Sequence, residues 1–246
     1  MASSPSDKQV SLSYWSRIVK VLSDIPQIYD LANLIMSIGS VVYVREIFKI
    51  NVRKLSTRTK FPVLDAGCGP GSSIKALLES LGEESYIIGL DPLTSMLEEA
   101  LRRHGNRQGI ELVRGVFEAL PFRDGSISTI TFSFSFRDAI NYFRAAKEAW
   151  RVAREGAAVL ILDLGKPLRK RIYSKILEGP YMLFLPAIAG AVLMGWRGIT
   201  RYIELRRTYT RFMSTPAIKF LFQKIFGKAK CYYMLGGAVF ILEAKK

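Results

Sequence analysis

The sequence predicts an α/β fold, a largely parallel sheet with helices on both faces and an antiparallel hairpin at its end. Three observations predict it. Short apolar runs alternate with helical stretches between residues 61 and 164. The first run ends in a glycine-rich loop, VLDAGCGPGSS, and residues 229–246 read strand, Gly236-Gly237, strand. Strand–helix alternation favours parallel strands, because each crossover helix must cover a face of the sheet.

The elements follow in order. Residues 12–55 read as a helical cap, with Ile28, Leu31, Leu34 and Ile35 on one face. Phe61 to Ala66 is a buried strand, Ser72 to Leu81 a helix, and Tyr86 to Leu90 a second strand closed by Asp91. Pro92 opens the next helix, Leu93, Met96, Leu97, Ala100 and Leu101 repeat at helical spacing, and Gly105 ends it. Strands follow at Ile110 to Val113, Ile127 to Phe134 and Ala157 to Leu164, with a helix at about 139–153 between the last two. Residues 167–213 look helical and basic, and Pro216 to Phe226 is a helix capped by Ser214 or Thr215 with Gly227 past its end.

Composition narrows the function. A chain of 246 residues, 49% hydrophobic, fits one domain with a sizeable core. Cys68 and Cys231 can build neither a disulfide framework nor a four-ligand metal site, so no metal is expected and both thiols read as reduced. The polar start MASSPSDKQV lacks the basic and apolar segments of a secretory signal. The longest apolar run, Tyr181 to Trp196, holds 16 residues with Pro186 inside. That falls short of the ~20 that span a bilayer, so it reads as buried or interfacial. The net charge is +15, and residues 166–230 carry +12 of it, from 14 Lys or Arg against Glu178 and Glu204. Basic and apolar residues mixed in one segment suit an anionic membrane surface. Nucleic acid is the rival partner, and a plain solvated face the bland reading.

The glycine loop carries the chemistry. Asp65, Gly67, Gly69 and Gly71 stand where a strand turns into a helix, so a ligand can approach the backbone. A dinucleotide fingerprint wants glycine where Ser72 stands, and no G-K-[ST] phosphate loop exists. An acid two residues before G-x-G-x-G instead suits the ammonium of a methionine moiety, held directly or through water. Asp91 ends the second strand 20 residues beyond Gly71, placed to take both ribose hydroxyls of an adenosine. In GVFEALPFRDGS, Val116 and Phe117 fall at the adenine. The lone His104, in RRHG at a helix end, is accounted for by the helix dipole.

These motifs and five alternating strands with a terminal hairpin make the Rossmann-like, seven-stranded pattern of class I methyltransferases. Within that class the chain resembles the ubiquinone/menaquinone C-methyltransferases, the UbiE-like group, from about Ile28 to Val239. YDLANLIMS, ITFSFSFRDA, DLGKP, FLPAIAG and RYIELRRTYTRF carry the resemblance. It implies S-adenosylmethionine as cofactor, held by Asp65, Gly67, Gly69, Pro70, Gly71, Asp91, Val116, Phe117 and Ser133. It also implies C-methylation of a membrane-dissolved quinol or a similar lipid-like aromatic. Arg137 would stabilise the phenolate, with Asp138 and Tyr29 as candidate base and orienter. Three residues depart from the family pattern. Val116 stands for a polar residue, Ser135 for Gly and Asp138 for Asn.

One methyltransferase domain is expected, with a cap at 12–55, a cofactor-binding core at 56–165, a basic and apolar lid at 166–228, and a hairpin at 229–246. The protein would be cytoplasmic, peripheral on the inner face of the cell membrane. A homodimer stays open. Two alternatives stand beside this reading: methylation of RNA or another small molecule, and a non-catalytic membrane-associated S-adenosylmethionine-binding protein. The loop SFSFRD lacks the N/D-P-P-Y pattern of base N-methylating enzymes, which argues against base N-methylation but not against ribose methylation.

Overall fold

The computed structural model describes residues 19–20, 22–55, 62–166, 184–196, 198–199 and 206–246. Seven strands form one sheet in the order β3-β2-β1-β4-β5-β7-β6. They are β1 (Val63–Ala66), β2 (Ile87–Asp91), β3 (Ile110–Arg114), β4 (Ile127–Ser133), β5 (Ala153–Leu164), β6 (Lys228–Met234) and β7 (Val239–Lys245). β1 to β5 pair in parallel, and β7 pairs antiparallel with both β5 and β6. The chain reverses direction of travel across the sheet between β1 and β4. That is the switch point where open sheets bind ligands.

The helices are α1 (Tyr29–Met36), α2 (Ser40–Leu55), α3 (Ser72–Leu81), α4 (Thr94–His104), α5 (Tyr142–Val152), α6 (Phe184–Met194), α7 (Arg206–Arg211) and α8 (Thr215–Phe226). Two cores flank the sheet. Ala145, Ala149, Ile218 and Phe222 bring α5 and α8 onto one face, and Val44, Phe48, Ile74 and Leu77 bring α2 and α3 onto the other. The central strands are buried on both sides, which explains their near-continuous apolar sequence. No single helix among the described residues is long and apolar enough to cross a membrane.

Several sequence expectations change at their edges. The first strand starts at Val63 and the fifth at Ala153, with a register shift between Ile127 and Thr129. The cap is not one helix. It breaks at Ser37–Gly39, where Gly39 (φ 77°) and Ile38 (φ 49°) turn left-handed. The predicted apolar face also splits. Ile28 and Ile35 pack inward with Ala32, but Leu31 and Leu34 point outward. Periodicity placed all four within one broad stripe, and the actual contact is narrower. Within the expected lid, 167–183, 197 and 200–205 lie outside the described residues, as do 1–18, 21 and 56–61.

Candidate active site

The loop after β1 packs against the end of β2. The Gly67 and Cys68 amides donate to the Leu90 carbonyl at 2.7 and 3.0 Å, and the Gly69 amide donates to Asp91 Oδ2 at 3.0 Å. Gly67 (φ 77°) is required twice over, since a Cβ there would also lie 2.4 Å from Ser135 Cβ. Gly69 (φ 52°) differs. A Cβ there would meet nothing within 4 Å, because this backbone faces an open cavity.

That cavity has a volume of about 750 Å³, within the usual range for ligand clefts. Its walls include Gly67, Gly69, Asp91, Val116, Phe117, Tyr29, Arg137 and Asp138. The structure thus brings together eight of the residues singled out by sequence. Asp65, Pro70, Gly71 and Ser133 are not on this wall. Ser133 instead lines a narrow crevice of about 20 Å³ beside it, shared with Gly67, Gly69, Tyr29, Asn33 and Arg45.

Asp65 lies beneath the glycine loop, off the cavity wall. It is wholly buried, accepting from Ser73 Oγ at 2.5 Å and Thr131 Oγ1 at 3.0 Å. It therefore ties α3 and β4 beneath the glycine loop. Burial raises its pKa to about 6, against the pull of those two hydroxyls. Gly71 is likewise structural. Its carbonyl accepts from His104 Nε2 at 2.9 Å, and the imidazole fills the space a Cβ would need. His104 thus braces the loop, a role the helix-dipole reading missed.

Asp91 stays on the wall. Oδ1 accepts from the Leu93 amide at 2.9 Å and Oδ2 from Gly69, and a carboxylate retains further lone pairs for two hydroxyls. Burial raises its pKa to about 6, with those two amides opposing. Phe117 is fixed edge-on to Phe132, centroids 5.4 Å apart, so its ring is held for stacking. A backbone cradle, a hydroxyl-accepting carboxylate and an apolar slot fit an adenosyl ligand.

Arg137 and Asp138 sit on a 3-10 turn, Phe136–Asp138, just past β4. Phe136 pins that turn, fully buried between Phe132 (5.1 Å) and Phe222 (5.3 Å). Each such ring pair contributes roughly 0.5–1.5 kcal/mol beyond area burial. The guanidinium does not pair closely with Asp138, whose Oδ1 is 4.0 Å away. Its partner is Asp163 at the end of β5, with Nη1 to Oδ1 at 2.9 Å and the Arg137 amide to Oδ2 at 3.0 Å. Asp163 is wholly buried and was not singled out by sequence. The signal was present, since an acid ends an apolar strand in DLGKP.

The charges are set by these neighbours. Burial opposes the Arg137 cation, but Asp163, Asp138 and Tyr29 outweigh it and hold its pKa above the ordinary arginine value. Burial raises Asp138 to about 6, with Arg137 pulling it back down. Burial also raises the Tyr29 hydroxyl, against Arg137 and a hydrogen bond to Asn33. At neutral pH the site holds a fixed cation, a carboxylate near its titration point and a protonated phenol. That set can stabilise an oxyanion and accept one proton.

Helix α1 reaches this site through a second face. Asp30 accepts from Ser72 Oγ (2.5 Å), Arg45 (3.0 Å) and Arg103 (2.6 Å), tying the cap to α2, α3 and α4. Burial opposes its charge, yet these three donors hold its carboxyl below the usual range. Tyr29 and Asn33 on the same helix face the cavity. From the lid, Pro186, Thr208 and Tyr209 complete the wall.

A family model described as the ubiE/COQ5 methyltransferase family matches residues 11–245. Among curated relatives, the demethylmenaquinone methyltransferase of Lactococcus lactis is 27% identical, over 90% of this chain and 86% of its own. That of Staphylococcus epidermidis is 31% identical, over 82% and 81% respectively. Among solved structures, a Thermotoga maritima protein described as a SAM-dependent methyltransferase, possible histamine N-methyltransferase, superposes with a TM-score of 0.61 at 16% identity. It covers 93% of this chain and 99% of that one, and at this identity the likeness is one of fold.

Proposed function

The chain belongs to the ubiE/COQ5 methyltransferase family, and from that premise we propose that it methylates a ring carbon of a membrane-dissolved quinol, of the demethylmenaquinol type. S-adenosylmethionine is its cofactor. When bound, it supplies a methyl on a sulfonium, an electrophile that needs no further activation. Gly67 and Gly69 would cradle its backbone-facing side, Asp91 its ribose, and Val116 with Phe117 its adenine.

The chain's own residues then prepare the acceptor. A free phenol loses its proton near pH ~10. Arg137, held cationic by Asp163, favours the phenolate, whose charge makes the neighbouring ring carbon nucleophilic. Asp138, or a water beside it, would accept the ring proton that this carbon releases once it has taken the methyl, the cofactor leaving as the neutral thioether. Tyr29 donates its hydroxyl proton in a hydrogen bond and orients the ring. With cofactor and acceptor both in place, the largely apolar walls leave little room for competing water.

One observation carries the reading. Arg137 and Asp138 share a single cavity with Asp91 and the glycine loop, and the greater part of its remaining wall is apolar, with Ile25, Met36, Val41, Val44 and Leu93 among its residues. An aromatic head with an apolar tail matches both parts. The partner would be an anionic membrane surface, at the inner face of the cell membrane. The test is incubation with labelled S-adenosylmethionine and total lipid extract, then mass spectrometry of the products. A C-methylated quinone supports the reading. Label found only in RNA, or in a small polar molecule, refutes it.

A further inference from the structure

The cavity opens among apolar side chains that nothing in the described fold covers. Helix α6 turns Ala189, Leu193 and Met194 inward against the cap. It leaves Phe184, Ile188 and Val192 outward, at 60, 48 and 67% exposure, and a spacing of four residues keeps these three on one helix face. Trp196, just past the helix end and the left-handed Gly195, is 87% exposed. Pro186 of the same helix lines the cavity.

The cap supplies the other side of the opening. Helices α1 and α2 meet at a bend of 102°, with Ile38 at its apex and 74% exposed. Leu235, in the β6–β7 turn, is 46% exposed. Both also line the cavity, so both stand at its mouth. Both hold left-handed backbone, φ 49° and 50°, which a branched side chain adopts only under constraint. The chain thus spends strain to project apolar groups where a solvated rim would be polar.

We propose that this rim, the outer face of α6 with Ile38 and Leu235, docks the enzyme onto an anionic lipid bilayer, with the cavity mouth against the acyl boundary. Charge selects this occupant. Two copies of a chain with net charge +15 repel each other, whereas anionic headgroups attract it. Nucleic acid offers no complement to an apolar rim. The inference deepens the quinol reading and rests on it for one point, that the acceptor's tail passes from membrane to cavity without crossing water.

Co-sedimentation tests it, with vesicles of phosphatidylcholine and phosphatidylglycerol in equal parts, or of phosphatidylcholine alone. The wild type binds the anionic vesicles, more tightly at low salt. The triple variant Phe184→Ser, Ile188→Ser, Val192→Ser binds at least about tenfold more weakly. Trp196→Ser alone shows a smaller loss in the same direction, which covers a triple variant that fails to fold. Phe220→Ser, equally exposed on α8 at 61% but off the cavity wall, binds as wild type does. The triple variant still methylates a short-tailed, water-soluble quinol but loses transfer to a vesicle-embedded one. The proposal is overturned if the wild type binds neither vesicle, or if the folded triple variant binds as wild type. It also falls if the rim instead holds a dimer in sedimentation that the triple variant abolishes. Vesicle binding that depends on the rim, with no quinone methylated in either assay, upholds the rim and sinks the quinol reading.

Discussion

The two walls of the cavity are built in different ways. The wall at the tips of β1 and β2 is made of backbone: Gly67 and Gly69 turned left-handed, their loop clasped by the Leu90 carbonyl and Asp91. The opposite wall is made of side chains delivered from far along the chain, by α1, α6 and the turn at Phe136–Asp138. The first tolerates almost no change at Gly67, where a Cβ would strike Ser135, and Gly69 is held by its left-handed backbone alone. The second holds through a few charge pairs and ring contacts, so its residues can vary while the cavity persists. That division suits an enzyme with a common cofactor and a particular acceptor.

The sharpest way to break this comparison is Gly67→Ala. The added methyl meets Ser135 Cβ at 2.4 Å and the φ of 77° is strained for alanine. Cofactor binding should vanish by calorimetry, with stability lowered by about 2–4 kcal/mol in urea unfolding. Retained binding would mean the loop is not clamped as described. Next is Arg137→Ala. It should cut turnover at least tenfold, ~1.4 kcal/mol of barrier, while cofactor affinity holds. It also strands the buried Asp163, so it should destabilise the fold, and Asp163→Asn in the same chain should recover stability but not turnover. Recovery of turnover would reduce Arg137 to a structural pair.

Asp91→Asn should weaken cofactor affinity about tenfold and leave the acceptor's KM alone. Unchanged affinity would move the ribose elsewhere. The acids then separate the two walls by pH. A base must be ionised to work, and burial raises both Asp138 and Asp91 to about 6. At saturating cofactor, kcat should therefore fall as pH drops through about 6, and Asp138→Asn should flatten that limb. The kcat/KM for cofactor should keep an acid limb in that variant, because Asp91 still takes up a proton. For stability the sign reverses. A folded pKa above the unfolded value favours the protonated native state, so unfolding free energy without ligand should decline as pH rises from about 4 to about 6. The smallest effect belongs to Asp30→Asn. Its pairs with Arg45 and Arg103 are partly exposed, so stability should change by no more than ~1 kcal/mol. The acceptor's KM should rise as Tyr29 loses its anchor.

The same division decides what the sequence discloses. The cofactor wall was legible because its parts are contiguous and their spacing has one physical use, a turn followed by an acid at a strand tip. Even so, the two partners that hold Asp65, Ser73 and Thr131, are not legible locally, since they lie 8 and 66 residues away. His104 was passed over because its partner, the Gly71 carbonyl, lies 33 residues away. The acceptor wall was harder still. Arg137 and Tyr29 came from resemblance to a family, and the partner that fixes Arg137, Asp163, is brought to it only when β5 pairs with β4. The break at Ser37–Gly39 defeated periodicity, because the apolar pattern runs through it.

A structure of the protein with S-adenosylhomocysteine bound tests the central claim most directly. The account predicts the ribose hydroxyls on Asp91, the adenine against Val116 and Phe117, and the sulfur turned toward Arg137 and Asp138. A nucleoside lodged outside this cavity, or a sulfur turned away from the Arg137 turn, would contradict it.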